Sequence, residues 1–116
     1  MQGGYKDLIV WQKAKGFCVN IYKLTELFPD SEKFGLISQL RRASVSIPSN
    51  IAEGSKRNTT KDQKQFYAIA YGSGAEIETQ LEISKELFSS LRLNIENLEN
   101  DLVEIMKMLN KLRTTN

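Results

Sequence analysis

The chain has 116 residues, of which 41% are hydrophobic and 26% charged, and its net charge is +2. This composition is ordinary for a globular protein, and the length suffices for one domain, 1–116, with a real core. The single cysteine, Cys18, excludes a disulfide within the chain. The absence of histidine excludes Ser–His and Cys–His catalysis and the di-iron motif of helical bundles.

The sequence lacks the signals of membrane insertion and secretion. No apolar run approaches the roughly 20 residues that span a bilayer, and the N-terminus lacks a signal-peptide core. We therefore expect a cytoplasmic protein with no membrane partner.

The first helix is predicted from about Leu8 to Leu27, with Asp7 as its N-cap. Its apolar face has helical spacing and is flanked by Trp11; the face comprises Val10, Ala14, Phe17, Cys18, Ile21, Leu24 and Phe28. Pro29 should end the helix.

The second helix is predicted from about Glu32 to Lys56, capped by Asp30 or Ser31. Its stripe is spaced 4, 3, 4 and 4 residues apart, at Leu36, Leu40, Ala43, Ile47 and Ile51. Because this spacing continues past Pro48, we expect a kink there. The alternative is two short helices, with Pro48 opening the second.

The third helix is predicted from about Lys61 to Phe88, with Thr60 and Gln63 forming a capping box. Its seam is Phe66, Ala70, Ser73, Ile77, Leu81, Ser84 and Phe88. Gly72 and Gly74 each cost about 1 kcal/mol in a helix, which indicates close approach to a neighbouring backbone.

The fourth helix is predicted from about Ile95 to Leu112, with Asn94 as its cap. Its buried side is predicted to be Ile95, Leu98, Leu102, Ile105, Met106, Leu109 and Leu112. Four such helices with short turns predict an all-α fold, an antiparallel up-down-up-down four-helix bundle with a proline kink in helix two.

Two further, weakly apolar strips lie outside these faces and indicate subunit contacts. One strip, on helix two, is Arg41, Val45, Pro48 and Ala52; the other, on helix three, is Ala68, Tyr71 and Ala75. Scattered surface apolar residues are the alternative.

Positive charge is concentrated in the first half of the chain. Residues 1–64 hold 11 Lys/Arg against 6 Asp/Glu. The candidate nucleic-acid-binding residues are Arg41, Arg42, Lys56, Arg57, Lys61 and Lys64, with Tyr67 and Tyr71 as possible stacking partners for bases. The alternative is a solvated surface whose arginines pair with Glu53 or with another subunit. No catalytic, metal or cofactor site is predicted.

The segment QLRRASVSIPSNIAEG at 39–54 resembles the hallmark of the 23S ribosomal RNA intervening-sequence proteins, also called four-helix-bundle proteins. YKDLIVWQKA at 5–14 and IAYGSGAE at 69–76 carry the same resemblance. It implies a ring-like homopentamer without enzymatic activity. Some relatives are encoded within segments interrupting 23S rRNA genes, and a related group serves diversity-generating retroelements, where a basic surface engages reverse transcriptase and RNA.

Two functions follow as expectations. The first is a non-enzymatic, oligomeric accessory protein that binds RNA or an RNA-handling protein such as a reverse transcriptase. The second is a structural or protein-interaction scaffold without nucleic-acid contact.

Overall fold

The computed structural model describes residues 4–115, and four long helices dominate them. They are α1 (Ile9–Thr25), α2 (Leu36–Ser55), α3 (Thr60–Leu87) and α4 (Arg92–Thr114). Short 3₁₀ turns at Gly4–Asp7, Asp30–Glu32 and Ser89–Leu91 precede α1, α2 and α4. The packing of the four helices is that of a helical bundle, which confirms the predicted all-α class.

One hydrophobic core lies between the helices and is built from the predicted stripes. Its fully enclosed members include Ile21, Leu40, Ile77, Leu102 and Leu109. Cys18 is only half-buried, with its sulfur 3.4 Å from the Ser44 hydroxyl. The period of 3.6 residues therefore located the core faces of all four helices.

The helix starts differ from the predicted ones. Asp7 is not the cap of α1, because it lies in the preceding 3₁₀ turn and Leu8 occupies the N-cap position. The start predicted for helix two is also wrong: α2 begins only at Leu36, after another 3₁₀ turn. The Glu32 carboxylate accepts a hydrogen bond from the Leu36 amide over 3.2 Å, so a side chain from the preceding turn satisfies one free amide.

The predicted caps of the third and fourth helices are wrong as well. Thr59, one residue before the predicted cap, accepts a hydrogen bond from the Asp62 amide over 3.2 Å. The Gln63 side chain donates instead to the Arg57 carbonyl over 3.1 Å. Asn94 lies inside α4, because the 3₁₀ turn at Ser89–Leu91 leads directly into the helix at Arg92.

Helix α2 continues through Pro48 without interruption. This continuity rules out the alternative of two short helices, whereas the kink stays a prediction. The Ser44 hydroxyl lies 3.0 Å from the Arg41 carbonyl oxygen, and the Ser46 hydroxyl contacts Asn50 and Ser73. Proline has no N–H, so Pro48 leaves the Ser44 carbonyl without the donor it would have in a regular helix. Neither serine hydroxyl supplies a replacement, because both bond to other groups.

Helices α2 and α3 contact each other at both ends of α2. Arg42, early in α2, pairs with Glu76, whereas a Cβ on Gly54, at the end of α2, would lie 2.9 Å from Tyr67 near the start of α3. A Cβ on Gly74 would lie 2.2 Å from Met106 Sδ in α4. Gly74 therefore permits a close approach, though to a side chain, while a Cβ on Gly72 would meet nothing within 4 Å.

Candidate nucleic-acid interface

The six predicted nucleic-acid-binding residues do not form one surface. Arg41 and Arg42 lie near the start of α2, and Lys56 and Arg57 follow its end. Fifteen residues of helix separate Arg41 from Lys56, which is a rise of about 22 Å. The two arginines therefore have to be considered apart from Lys56, Arg57, Lys61 and Lys64.

Arg41 fastens α2 to the end of α1. Its Nε donates to the hydroxyl of buried Thr25 over 2.9 Å, and its Nη2 donates to the Tyr22 carbonyl over 3.3 Å. The guanidinium also lies over the Tyr22 ring, 4.6 Å from its centroid. Because these contacts use two of its five N–H donors and one face of its plane, Arg41 has a structural role.

Arg42 connects α2 to α3 at the surface. Its Nη2 lies 3.0 Å from Glu76 Oε2 and 3.0 Å from Gln39 Oε1. The carboxylate compensates the charge locally, so Arg42 is a weaker phosphate ligand than an unpaired cation would be.

The other four residues lie in a larger group that we call the basic end. It comprises residues 4–8, 53–64 and 108–115, where the start of α1, the end of α2, the start of α3 and the end of α4 meet. Lys56 Nζ lies 5.4 Å from the centroid of the Tyr5 ring, and Leu8, Lys64 and Lys111 line one cavity. Contacts of this kind join the separate segments.

The basic end carries seven cations against three anions. The cations are Lys6, Lys56, Arg57, Lys61, Lys64, Lys111 and Arg113, and the anions are Asp7, Glu53 and Asp62. Arg57 forms an ion pair with Glu53 and lies 4.6 Å from the Phe66 ring centroid. The pairing with Glu53 belongs to the alternative of a solvated surface, and Arg57 makes it, while Lys56 and Lys61 are exposed.

Three cations of the basic end escaped the sequence analysis: Lys6, Lys111 and Arg113. They lie at the two extremes of the chain, far in sequence from the residues that were selected. The signal that could have found them is the bundle order itself, because an up-down-up-down chain brings the start of its first helix and the end of its last to the same end.

The aromatic residues proposed as stacking partners are engaged in the fold. Tyr67 is 7% exposed, and its burial raises the pKa of the phenol. The prediction that Tyr67 stacks on bases is wrong for this reason. Tyr71 is half-buried, with the Arg113 guanidinium 4.1 Å from its ring centroid. One face of the Tyr71 ring is therefore already covered.

The opposite end has a different character, and we call it the far end. It comprises residues 23–36 and 82–97, with four Lys/Arg against six Asp/Glu. Large apolar side chains are exposed there, including Phe34 at 90% and Leu93 at 71%. Residues 4–115 measure 44 × 26 × 23 Å, which is a bundle about twice as long as it is wide. Its basic end has an excess of positive charge and its far end an excess of negative charge.

Comparison with known proteins gives this arrangement a family context. The sequence profile described as 23S rRNA-intervening sequence protein matches residues 6–111. The chain belongs to this family. No curated protein matches it.

A solved structure agrees with the fold of this 23S rRNA-intervening sequence family member. It is a crystal structure of a protein of unknown function from the S23 ribosomal protein family, from Bacteroides thetaiotaomicron. The two are 28% identical with a TM-score of 0.81, and the match covers 92% of this chain and all of the other. Among residues 4–115, none of the helices combines the length and apolar character needed to cross a bilayer.

Proposed function

We propose that this protein is a non-enzymatic, oligomeric accessory protein of the cytoplasm that binds RNA through its basic end. The observation that carries the proposal is the excess of seven cations over three anions at one end of the bundle. Lysine and arginine attract phosphates without reading bases, so the binding is sequence-tolerant.

Oligomerisation would compensate for the modest charge of a single chain. A homopentamer would present five copies of the basic end, and repetition raises avidity without any new contact. Exposed Val45 on α2 and Ile69 on α3 support contacts between subunits. An RNA-handling protein such as a reverse transcriptase fits the same role, because it would hold the RNA that the basic end contacts.

A triple variant tests the RNA proposal: Lys56→Gln, Arg57→Gln and Lys61→Gln together. The matched control removes three cations from the far end, through Lys23→Gln, Lys33→Gln and Arg92→Gln. Binding of a fluorescent single-stranded RNA is measured by anisotropy at several salt concentrations. The slope of log K against log salt should be about −0.7 per phosphate neutralised.

We expect the triple variant to bind more weakly and with a shallower salt slope at an unchanged oligomer mass, while the control retains most of the affinity. Equal loss in both variants would mean that only net charge matters. No binding by the wild type at low salt would also overturn the proposal.

A protein-interaction scaffold is the second candidate function. The exposed Phe34 and Leu93 at the far end favour it, because apolar side chains on an exposed surface are typical of protein contacts. This candidate is favoured if the wild type binds no RNA and a protein partner co-purifies after nuclease treatment but not with a Phe34→Ser, Leu93→Ser variant.

A further inference from the structure

A cavity of about 530 Å³ opens at the basic end, between the start of α1, the first turns of α3 and the end of α4. Its walls are mainly apolar and include Leu8, Val10, Met108 and Leu112. Ligand cavities in proteins commonly measure about 300–1,000 Å³ and combine such walls with a few polar groups. The volume and the lining therefore suit a small molecule with a hydrocarbon part.

Tyr67 brings an unpartnered polar group to this cavity. The side chain lines the cavity and is 7% exposed, yet its hydroxyl makes no hydrogen bond with any residue of the range 4–115. The hydroxyl can therefore donate a hydrogen bond to a ligand oxygen in the cavity. The ordinary pKa of a tyrosine, 10.0, already leaves the phenol protonated at neutral pH, and burial raises that pKa further, so the hydroxyl is a donor.

Two lysines give the cavity its charge. Lys64, near the start of α3, and Lys111, near the end of α4, both line it. Within residues 4–115 the Lys111 ammonium has no hydrogen-bond or ion-pair partner. No Asp or Glu lines the cavity among the described residues, so its polar side favours an anion.

We propose that this cavity binds an amphiphilic carboxylate, a molecule with one unbranched hydrocarbon chain and one carboxylate head. The chain would pack against Val10, Met108 and Leu112. The head would accept charge-assisted hydrogen bonds from the lysines and a hydrogen bond from Tyr67. A purely polar anion would leave the apolar walls in water, and a neutral hydrocarbon would leave Lys111 without a counter-charge.

Isothermal titration calorimetry of the full chain with decanoate tests the proposal, with decanol and acetate as probes that each lack one half of the ligand. Titrations stay below the micelle concentration of decanoate. We expect one decanoate per chain, weaker binding of decanol, and no measurable binding of acetate. The heat capacity change should be negative, as apolar burial requires.

Two single variants locate the binding. Lys111→Gln should weaken decanoate binding by about three- to tenfold, the effect of one exposed charge-assisted hydrogen bond. Lys107→Gln is the matched control, one turn earlier on α4 and outside the cavity lining, and should bind as the wild type does. Tyr67→Phe keeps the ring and removes only the hydroxyl, so it should also weaken binding.

Three results would overturn the proposal: no decanoate binding, equal binding of decanol and decanoate, or equal affinities of the Lys111 and Lys107 variants. The titration contains no RNA, so its outcome is independent of the proposed function. Thermal unfolding of each variant, followed by circular dichroism, verifies that the fold is retained. If Tyr67→Phe fails to fold, the comparison of Lys111→Gln with Lys107→Gln decides.

Discussion

The hydroxyl of Ser73 in α3 donates a hydrogen bond to the hydroxyl oxygen of Ser46 in α2 over 2.8 Å. Asn50 Nδ2 donates to the same oxygen over 2.9 Å and to the Ser46 carbonyl over 2.8 Å. Ser73 is buried and Ser46 is half-buried, so this polar contact lies where two helices meet beside Pro48. It links the middle of α2 to the middle of α3.

Removing either serine hydroxyl should weaken the fold. Ser46→Ala and Ser73→Ala should each lower the free energy of unfolding by about 1 kcal/mol, because a buried partner loses its hydrogen bond. The double variant should lose less than the sum, by about 0.5–1 kcal/mol, since both changes remove one shared contact. Urea unfolding measures all four proteins, and strict additivity would contradict the coupling.

The two glycines of α3 should respond to alanine in opposite directions. Gly72→Ala should raise the free energy of unfolding by about 0.5–1 kcal/mol, because a Cβ there meets nothing and alanine is the better helix former. Gly74→Ala should lower it by about 1 kcal/mol or more, because the Cβ would force buried Met106 to repack. Thermal unfolding of the two variants gives the signs, and a stabilised Gly74→Ala would show that Met106 moves easily.

Arg41 and Arg42 should differ in stability despite their adjacency. Arg41→Gln should lower the free energy of unfolding by about 1–2 kcal/mol, because it loses bonds to Thr25 and Tyr22. Arg42→Gln breaks a surface ion pair and should cost about 0–1 kcal/mol. In the RNA anisotropy assay we expect Arg41→Gln to bind as the wild type does, and a large loss of affinity would refute its structural role.

Lys85 of α3 pairs with one carboxylate of its own helix, Glu82, and with one of α4, Glu99. Its Nζ lies 2.7 Å from Glu82 Oε2 and 2.7 Å from Glu99 Oε1. The hydrogen bond from Lys85 holds the pKa of Glu82 below its ordinary 4.5, whereas burial raises the pKa of Glu99. Hydrogen bonds to the two carboxylates raise the pKa of Lys85 above 10.5.

Lys85→Met should therefore lower stability in a pH-dependent way. The contribution of Glu82 is present above 4.5 and is lost as the pH falls through its lowered pKa, while that of Lys85 is lost as the pH rises through its raised pKa. The effect of Glu99 on stability has the opposite sign: burial disfavours its charged form, so protonation in acid stabilises the folded state. The gap in unfolding free energy between wild type and variant should thus be wide near neutrality and narrow at both extremes. Urea unfolding across pH measures it, with Lys107→Met as a control that should show no such pattern.

The isolated protein should not be a monomer. Light scattering after size exclusion should give a mass several times the 13.2 kDa of one chain, and five times that mass for the expected pentamer. Val45→Glu, which places a charge on the predicted contact strip of α2, should reduce that mass. Val19→Glu adds the same charge to an exposed site on α1 outside the strips and should leave it unchanged; a wild-type monomer at micromolar concentration would contradict the prediction.

The sequence predicted the core better than the helix starts. Burial follows a period of 3.6 residues, so Ile21, Leu40 and Ile77 could be assigned from spacing alone. The starts depend on local competition among turns. Asparagine is a common N-cap, but the 3₁₀ turn at Ser89–Leu91 leads into α4 at Arg92, so Asn94 already lies inside the helix.

The candidate site was only partly predictable, because charge along the sequence is not charge in space. Lys56 and Lys61 were found since they flank one loop. Arg41 looked equivalent to them in the sequence, yet two of its N–H groups bond to Thr25 and Tyr22 of α1, which only the packed helices show. Lys111 was missed for the opposite reason: it is near the end of the sequence, and only the folded structure places it beside Lys64.

The chain enters and leaves the bundle at the same end, since Leu8 and Thr115 line one cavity. An affinity tag or a fluorescent domain fused to either side would therefore emerge beside the cations and could screen them. A circular permutant that opens the segment 29–35 and joins the old ends by a short linker would carry its fusion at the far end instead. The RNA affinity measured for a fusion protein should thus depend on whether the fused domain lies at the basic end or at the far end.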